Sequence, residues 1–285
     1  MPLGSNHVTT ATAANFIPEL WALDVIEAAE SSLVMAELVT RFDDVAAEGG
    51  DMIHVPKVSN FQAQSKTANT QVTPQSTTEE KVTITLDNHK EVSFLVEDIA
   101  AVQARSSLRD VYTKKAGYAI AKAIDSHLLG LYTEAGNGGT VEALDLEAVL
   151  GASMALDEAD APQEDRFMVV SPDAKASLLE EEAFTSRDFM SPVDTNSPVQ
   201  SGLLGQILGC RVFVSNNVAK TLESGVDLYH NLMFQRGAIA LAIQLGPRVQ
   251  ANYIPEYLGT LVTVDVIYGY AALNADFLVD MQTQG

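Results

Sequence analysis

The chain predicts an α+β fold built on one long helix, with strands laid against that helix and a long polar loop leading away from them. Three observations carry this expectation. Residues 107–135 keep a helical period throughout. Most other apolar segments are short, β-branched runs of strand character. A 22-residue polar stretch, residues 59–80, separates two strand-like runs and has no pattern of its own.

The helix comes first because the rest must pack on it. Ser107 is placed as an N-cap with Asp110 three residues later, and the run Gly136, Gly138, Gly139 ends the segment. Leu108, Tyr112, Ala116, Ala119, Ile120, Ala123, Ile124, Leu128 and Leu131 recur on one stripe. Arg109, Lys114, Lys115, Lys122 and Asp125 fall mostly between them, which predicts a wet opposite face. Such a rod spans about 40 Å. It reads as a spine.

Composition bounds what the fold can do. With 285 residues, 47% hydrophobic and 19% charged, the chain can bury a full core and is expected to fold as two lobes. Its formal charge of −21, from 38 acidic and 17 basic side chains, argues against tight nucleic-acid binding, which needs clustered Lys and Arg. Cys210 is the single cysteine and cannot form an internal disulfide, so a buried, inert thiol is expected. No apolar run reaches the roughly 20 residues of a membrane helix, and no signal-peptide core precedes residue 20.

In chain order, residues 1–14 are small and polar and read as an arm. Pro18 and Glu19 sit in the first turn of a helix whose face is Ala22, Val25, Ile26, Ala29, Leu33 and Ala36, ending near Val39. Gly49-Gly50-Asp51 turns into a strand, 52–58, whose Pro56 suits a sheet edge. In residues 59–80, 14 of 22 are Ser, Thr, Asn or Gln. Strand, polar excursion and returning strand describe a protruding arm. Lys81–Leu86 alternates, Asp87–Lys90 turns, and Glu91–Val96 returns, which predicts a hairpin between those two runs.

Beyond the spine, Val141–Asp165 carries eight acidic residues and no basic one, on a helix marked by Leu146, Val149, Leu150 and Met154 and the turn after it. Asp157-Glu158-Ala159-Asp160 lacks calcium-loop spacing, so a solvated face is expected. Phe167–Val170 reads as a buried strand, Ser171-Pro172-Asp173 starts a helix through Leu179, and 184–199 is irregular. Gly202–Gly209 resembles a phosphate loop superficially but is followed by the strand Arg211–Val214, so it predicts a turn-rich hairpin. Leu232–Phe234, Ala238–Ile243 and Leu261–Tyr270 predict a sheet against the spine.

The sequence offers no catalytic, cofactor-binding or metal-ligating set. His7, His54, His89, His127 and His230 stand at no metal spacing, and no GxSxG, GxGxxG or CxxC motif occurs. A structural protein is expected rather than an enzyme, with no cofactor.

At Phe16–Trp21, Gly50–Pro56, Val170-Ser171-Pro172, Gly205–Asn216 and Gln250–Thr260, the chain resembles the major capsid proteins of tailed bacteriophages with the Johnson, or Hong Kong 97-type, fold. The likeness lies in the order and spacing of these stretches around the spine and the polar arm. It implies an N-terminal arm (1–45), an extended loop with its hairpin (46–98), the spine of a peripheral domain (99–140), an axial domain (141–228), and the peripheral sheet with a closing strand (229–285). It also implies a coat protein that self-assembles through hexamers and pentamers into an icosahedral shell around double-stranded DNA in the host bacterial cytoplasm. A scaffolding protein and a portal would be partners, with no membrane and no sequence-specific contact with the DNA. Inter-subunit contacts are expected at Trp21, Lys57, Phe61, Lys66, Glu79 and Glu80. Some relatives join Lys to Asn covalently, but no motif here assigns such a bond. The long cleaved scaffold segment of some relatives is not seen ahead of the arm, so a separate scaffold or an already mature chain is expected. A phage tail or decoration protein, or an enzyme whose site is scattered in sequence, are the alternatives.

Overall fold

A computed structural model describes residues 34–58, 61, 63–72, 74, 79–98, 108–180, 205–223 and 225–284. The expected arm and helix over 1–33, the cap at Ser107 and the irregular 184–199 lie outside them.

The spine is α3, Leu108–Leu129, extended by a 3-10 turn over Gly130–Glu134, so helical structure ends within a residue of the expected Ala135. Its 22 α-helical residues rise about 33 Å. Ala116, Ile120, Ile124, Leu128 and Leu131 are buried, as the spacing predicts. Three positions depart from it. Ala119 is exposed, and Tyr112 is half exposed with its ring 5.6 Å from that of Phe94. Asp125, expected on the wet face, is only 2% exposed.

Under the spine lies a four-stranded sheet in the order β1 (Thr40–Arg41), β11 (Ile239–Ile254), β12 (Gly259–Ala272), β4 (Asn88–Glu97). Its long hairpin turns through Pro255–Tyr257 and Leu258, whose φ is +44°. Two short helices, α1 (Met35–Leu38) and α2 (Asp43–Ala47), flank β1.

A seven-stranded sheet follows the order β5 (Asn137–Val141), β13 (Leu278–Gln284), β10 (Val226–Gln235), β6 (Arg166–Val170), β8 (Cys210–Val214), β7 (Gln206–Ile207), with β9 (Lys220–Glu223) also on β10. Both of its faces are covered. Phe167, Val169, Leu232 and Phe234 face the core shared with the spine, whereas Met168, Val170 and Met233 face α4 (Leu146–Glu158) and α5 (Pro172–Glu180). A strand buried on both sides has no polar face to show, which is why Phe167–Val170 of β6 reads as an unbroken apolar run. The β7–β8 turn places Leu208 and Gly209 at positive φ, as a two-residue hairpin loop requires.

Local caps work as the residue types predict. Asp145 Oδ1 accepts the Ala148 N–H at 2.8 Å to open α4, and Ser171 Oγ accepts the Ala174 N–H at 3.1 Å to open α5. The acidic run is therefore more than a solvated face. Asp157 lies 2.7 Å from the buried Arg166 guanidinium, which also donates to the carbonyls of Ala161 and Pro162, and Asp165 pairs with Arg211 at 3.0 Å.

The third sheet corrects the expected hairpin. β3 (Glu79–Thr85) pairs with β2 (Met52–Val58) across the polar loop, while β4 pairs with β12. Asp87 separates two strands that belong to different sheets. Leu86 N–H donates to Asp51 O at 2.8 Å, and the β3 end crosses β12 so closely that a Cβ on Gly269 would lie 2.2 Å from Thr85 O. The sheets also cut across the expected 228/229 boundary, which falls inside β10. Both β10 and β13 join the seven-stranded sheet rather than the one under the spine.

Candidate functional site

The β2–β3 arm is rooted in a small core of Ala46, Ile53, Ile84, Leu86, Ala240 and Ala242. Away from that root, its described residues turn outward. Phe61 is 66% exposed and Val72 65%, and Lys66 and Glu80 are also exposed. Large side chains that stand exposed lose no solvent until another surface covers them. Lys57 and Glu80 face one another in register, and Glu79 pairs with Val58 through the backbone. Lys57 Nζ donates to Asn274 Oδ1 at 3.2 Å, which ties the arm back to the chain between β12 and β13. The arm thus collects Lys57, Phe61, Lys66, Glu79 and Glu80 from the expected contact set. Trp21 lies outside the described residues.

A second junction was missed by sequence reasoning. Asp125 Oδ1 accepts the N–H groups of Val34 and Met35 at 3.0 and 2.8 Å, and Oδ2 accepts from Asn217 Nδ2 at 3.0 Å. One buried carboxylate joins the spine, the start of α1 and the segment between β8 and β9. Position 125 falls between Ile124 and Leu128 on the helix, so a wider buried arc would have included it.

The remaining polar clusters hold elements together. His230 Nδ1–H donates to Asp280 Oδ2 at 2.8 Å, its Nε2 accepts from Thr221 at 2.8 Å, and its ring stacks on Tyr132 with centroids 3.7 Å apart. Asp280 Oδ1 is the one buried side-chain polar atom without a partner among the described residues. Arg248 binds Asp265 through two hydrogen bonds of 2.8 and 2.9 Å, and His89 Nε2 adds a third at 3.1 Å. The Arg248 guanidinium holds the Asp265 carboxyl below its ordinary range. The Tyr268 hydroxyl and His127 Nδ1 share a hydrogen bond of 2.9 Å, and burial raises the Tyr268 pKa to about 12. Burial, followed by the Lys90 charge, lowers that of His127. Cys210 is fully buried, and burial raises its thiol pKa.

None of these clusters joins a nucleophile, a base and an open cavity. Among the described residues, no group of three or more His, Cys, Asp or Glu could hold a metal ion, and no helix is long and apolar enough to cross a membrane. What the surface presents instead is exposed apolar area. Tyr253, Tyr257 and Leu258 are exposed around the β11–β12 turn, Leu150 and Met154 on α4, and Leu222 on β9.

A family profile described as phage capsid protein matches residues 39–283. The chain belongs to that family. No curated protein matches it significantly. Among solved structures, a chain of Mycobacterium phage Che8 is 26% identical with a TM-score of 0.79, the match covering 94% of this chain and 97% of that one. The capsid structure of cyanophage P-SCSP1u gives a TM-score of 0.77 at 16% identity, covering 99% and 96%. The mature capsid of bacteriophage PhiM1 gives 0.72 at 12%, covering 93% and 91%. The Hong Kong 97-type fold expected from the resemblance is therefore borne out, and so is the expectation of a major capsid protein.

Proposed function

We propose that copies of this capsid protein assemble through hexamers and pentamers into an icosahedral shell that encloses phage double-stranded DNA, built in the host bacterial cytoplasm around a scaffolding protein and a portal. The role is structural, without catalysis. In this reading the spine and the four-stranded sheet form the peripheral domain, and the seven-stranded sheet with α4 and α5 forms the axial domain that points to the capsomer axis. Residues 1–45 and the β2–β3 arm reach to neighbours, with Trp21, Lys57, Phe61, Lys66, Glu79 and Glu80 at the contacts. Contacts between unlike surfaces close into rings, and rings join into a shell.

The observation that carries this is the arm. A segment that keeps Phe61 and Val72 in water gains burial only when another subunit covers them. The charge of −21 suits a wall that must enclose DNA without adhering to it. Negative-stain electron microscopy with light scattering, across concentration and ionic strength, is the test. Rings, sheets or shells are expected, weakened when residues 61–74 are replaced by a short Gly-Ser linker. A strictly monomeric species under every condition, with scaffolding protein supplied, would overturn the reading.

A further inference from the structure

Among the described residues, β5 is the one sheet edge with nothing to keep another strand off it. β4, β9, β2 and β3 carry charges, β2 also Pro56, and β1 and β7 are only two residues long. Charges, prolines and shortness are how an edge avoids pairing with another chain. β5 reads Asn-Gly-Gly-Thr-Val, with no charge and no proline. It pairs in parallel with β13 on one side and has no described strand on the other, and Gly138, Gly139 and Thr140 are exposed.

The two faces of this edge differ. Thr140 Oγ1 donates to Gln282 Oε1 at 2.7 Å and Gly138 lies against Asp280, so these positions share the face of His230 and its Asp280 partner. Asn137 and Gly139 stand in register with Val279 and Met281, which pack on the side of α4. On that side Gly139 borders a groove of about 330 Å³ whose helical wall is Ala148, Gly151 and Ala155. Gly138 is required by the fold, since a Cβ there would lie 2.7 Å from Asp280 O. A Cβ on Gly139 would meet nothing within 4 Å, so nothing among the described residues calls for a glycine at that position.

We infer that β5 is a docking surface for a second copy of this chain, the two β5 strands pairing antiparallel about a two-fold axis at Gly139. Three observations select this occupant. The five residues of β5 can pair with their own copy over their whole length in one register alone: Asn137 opposite Val141, Gly138 opposite Thr140, and Gly139 opposite Gly139. That register keeps acids apart, because Glu142 falls opposite Gly136, whereas a register centred on Gly138 would set Glu142 against Glu134. In a chain of net charge −21, an uncharged edge is also where two copies approach with least repulsion. With no Cβ at the axis, the two backbones meet at the Gly139 pair, and Val141 of each copy lies beside Asn137 of the other on the α4 side. The two seven-stranded sheets then run on into one another, with backbone hydrogen bonds supplying the affinity. This contact joins like to like and does not rest on the ring and shell reading, whose contacts join unlike surfaces.

Cysteine pairing reads the register directly. Full-length Gly139→Cys is oxidised and resolved under denaturing, non-reducing conditions beside full-length Val141→Cys. The two residues at 139 are directly opposed, within disulfide reach. Those at 141 are four residues out of register, about 14 Å apart. Cys210 is buried and leaves little background. Covalent dimer should form on the order of tenfold faster for Gly139→Cys than for Val141→Cys, from the raised effective concentration at the axis. The rate should rise further as salt screens the charge between copies. Mixing is the second measurement, with full-length Gly139→Lys and Gly139→Glu combined and read by native mass spectrometry. Like charges opposed at the axis disfavour each homodimer, so the mixed dimer should exceed its statistical share roughly fivefold. The same two changes at the exposed Ala119 serve as control and should give the statistical share. Equal rates at 139 and 141, or a statistical mixture from the 139 variants, overturns the proposal. Shells in the microscope alongside equal rates refute the β5 pair and leave assembly standing. The fast, register-specific link in a chain that never forms rings or shells supports the pair and refutes the shell.

Discussion

Asp125→Ala is expected to be among the most damaging single substitutions in the spine, although its neighbours on the helix are the apolar residues. The carboxylate is 2% exposed and holds two backbone N–H groups and one amide. Truncation leaves the Met35 N–H buried without this acceptor, with a cost of about 1–3 kcal/mol for such a group. The half-buried Val34 N–H and the Asn217 amide each add roughly 1 kcal/mol, for a total of about 3–5 kcal/mol. With an m value of roughly 3 kcal/mol/M in urea, the far-ultraviolet circular dichroism midpoint should fall by about 1–1.7 M. Asp125→Asn keeps an oxygen for the backbone groups and should lose less than half as much. Limited proteolysis supplies a local readout, because the alanine variant should be cut faster around residue 34. A midpoint within about 0.2 M of wild type, with unchanged cleavage, would refute the assignment of Asp125 as the junction between spine and arm.

Gly269→Ala places a methyl group 2.2 Å from Thr85 O and must push β3 off β12, at a cost of about 2–3 kcal/mol. A thermal midpoint lowered by about 5 °C or more is expected, and an unchanged one would show that the arm root is not packed there. The Cys210 thiol, buried and raised in pKa, should resist a thiol reagent at neutral pH in the native protein and react at once in denaturant; fast native labelling would contradict its burial. On the alkaline side, Tyr268 keeps its proton to about pH 12 when folded but loses it near 10 when unfolded. Its contribution is full below pH 10 and is lost between about 10 and 12, so Tyr268→Phe should flatten stability across that window. On the acid side, His127 is lowered and favours the neutral ring, and Asp265 is lowered and favours the carboxylate. Stability from His127 is full above its unfolded value and falls as pH drops through 6.5 and below, and that from Asp265 follows below about 4. His127→Gln should remove the first of these losses, as followed by urea titration at each pH.

Much of this fold is written locally. The spine's stripe, the caps at Asp145 and Ser171, the apolar run Phe167–Val170 of β6 and the Leu208-Gly209 turn each depend on residues within a few positions of one another, and each sits where its pattern places it. Partnership between strands is not local. Alternation identified β3 and β4 as strands but said nothing about mates, and nearness in sequence suggested the wrong pair. β3 reaches back across the polar loop to β2, while β4 waits for β12 some 170 residues later. Asp125 failed in the same way, because its partners lie about 90 residues away on either side. Among the exposed segments, the polar loop announced itself by composition. The open β5 edge did not, since Asn-Gly-Gly reads as a helix stop until its neighbours in space are known.

The chain passes between its two larger sheets twice, from β10 to β11 through Arg236–Ala238 and from β12 to β13 through Ala275–Phe277. The passages are fastened together where the N–H groups of Leu273 and Asn274 both meet Ala238 O, at 2.7 and 3.3 Å. In mechanical terms these are two continuous cables clamped where they change plane. Tension applied at the Pro255–Tyr257 tip runs down β11 and β12 and straight into β10 and β13, which are paired along seven residues. The hydrogen bonds that join β10 to β6 and β13 to β5 lie across the pull and share it, rather than opening one at a time from an end. A container wall strained from within gains from such an arrangement, because the force meets many bonds together.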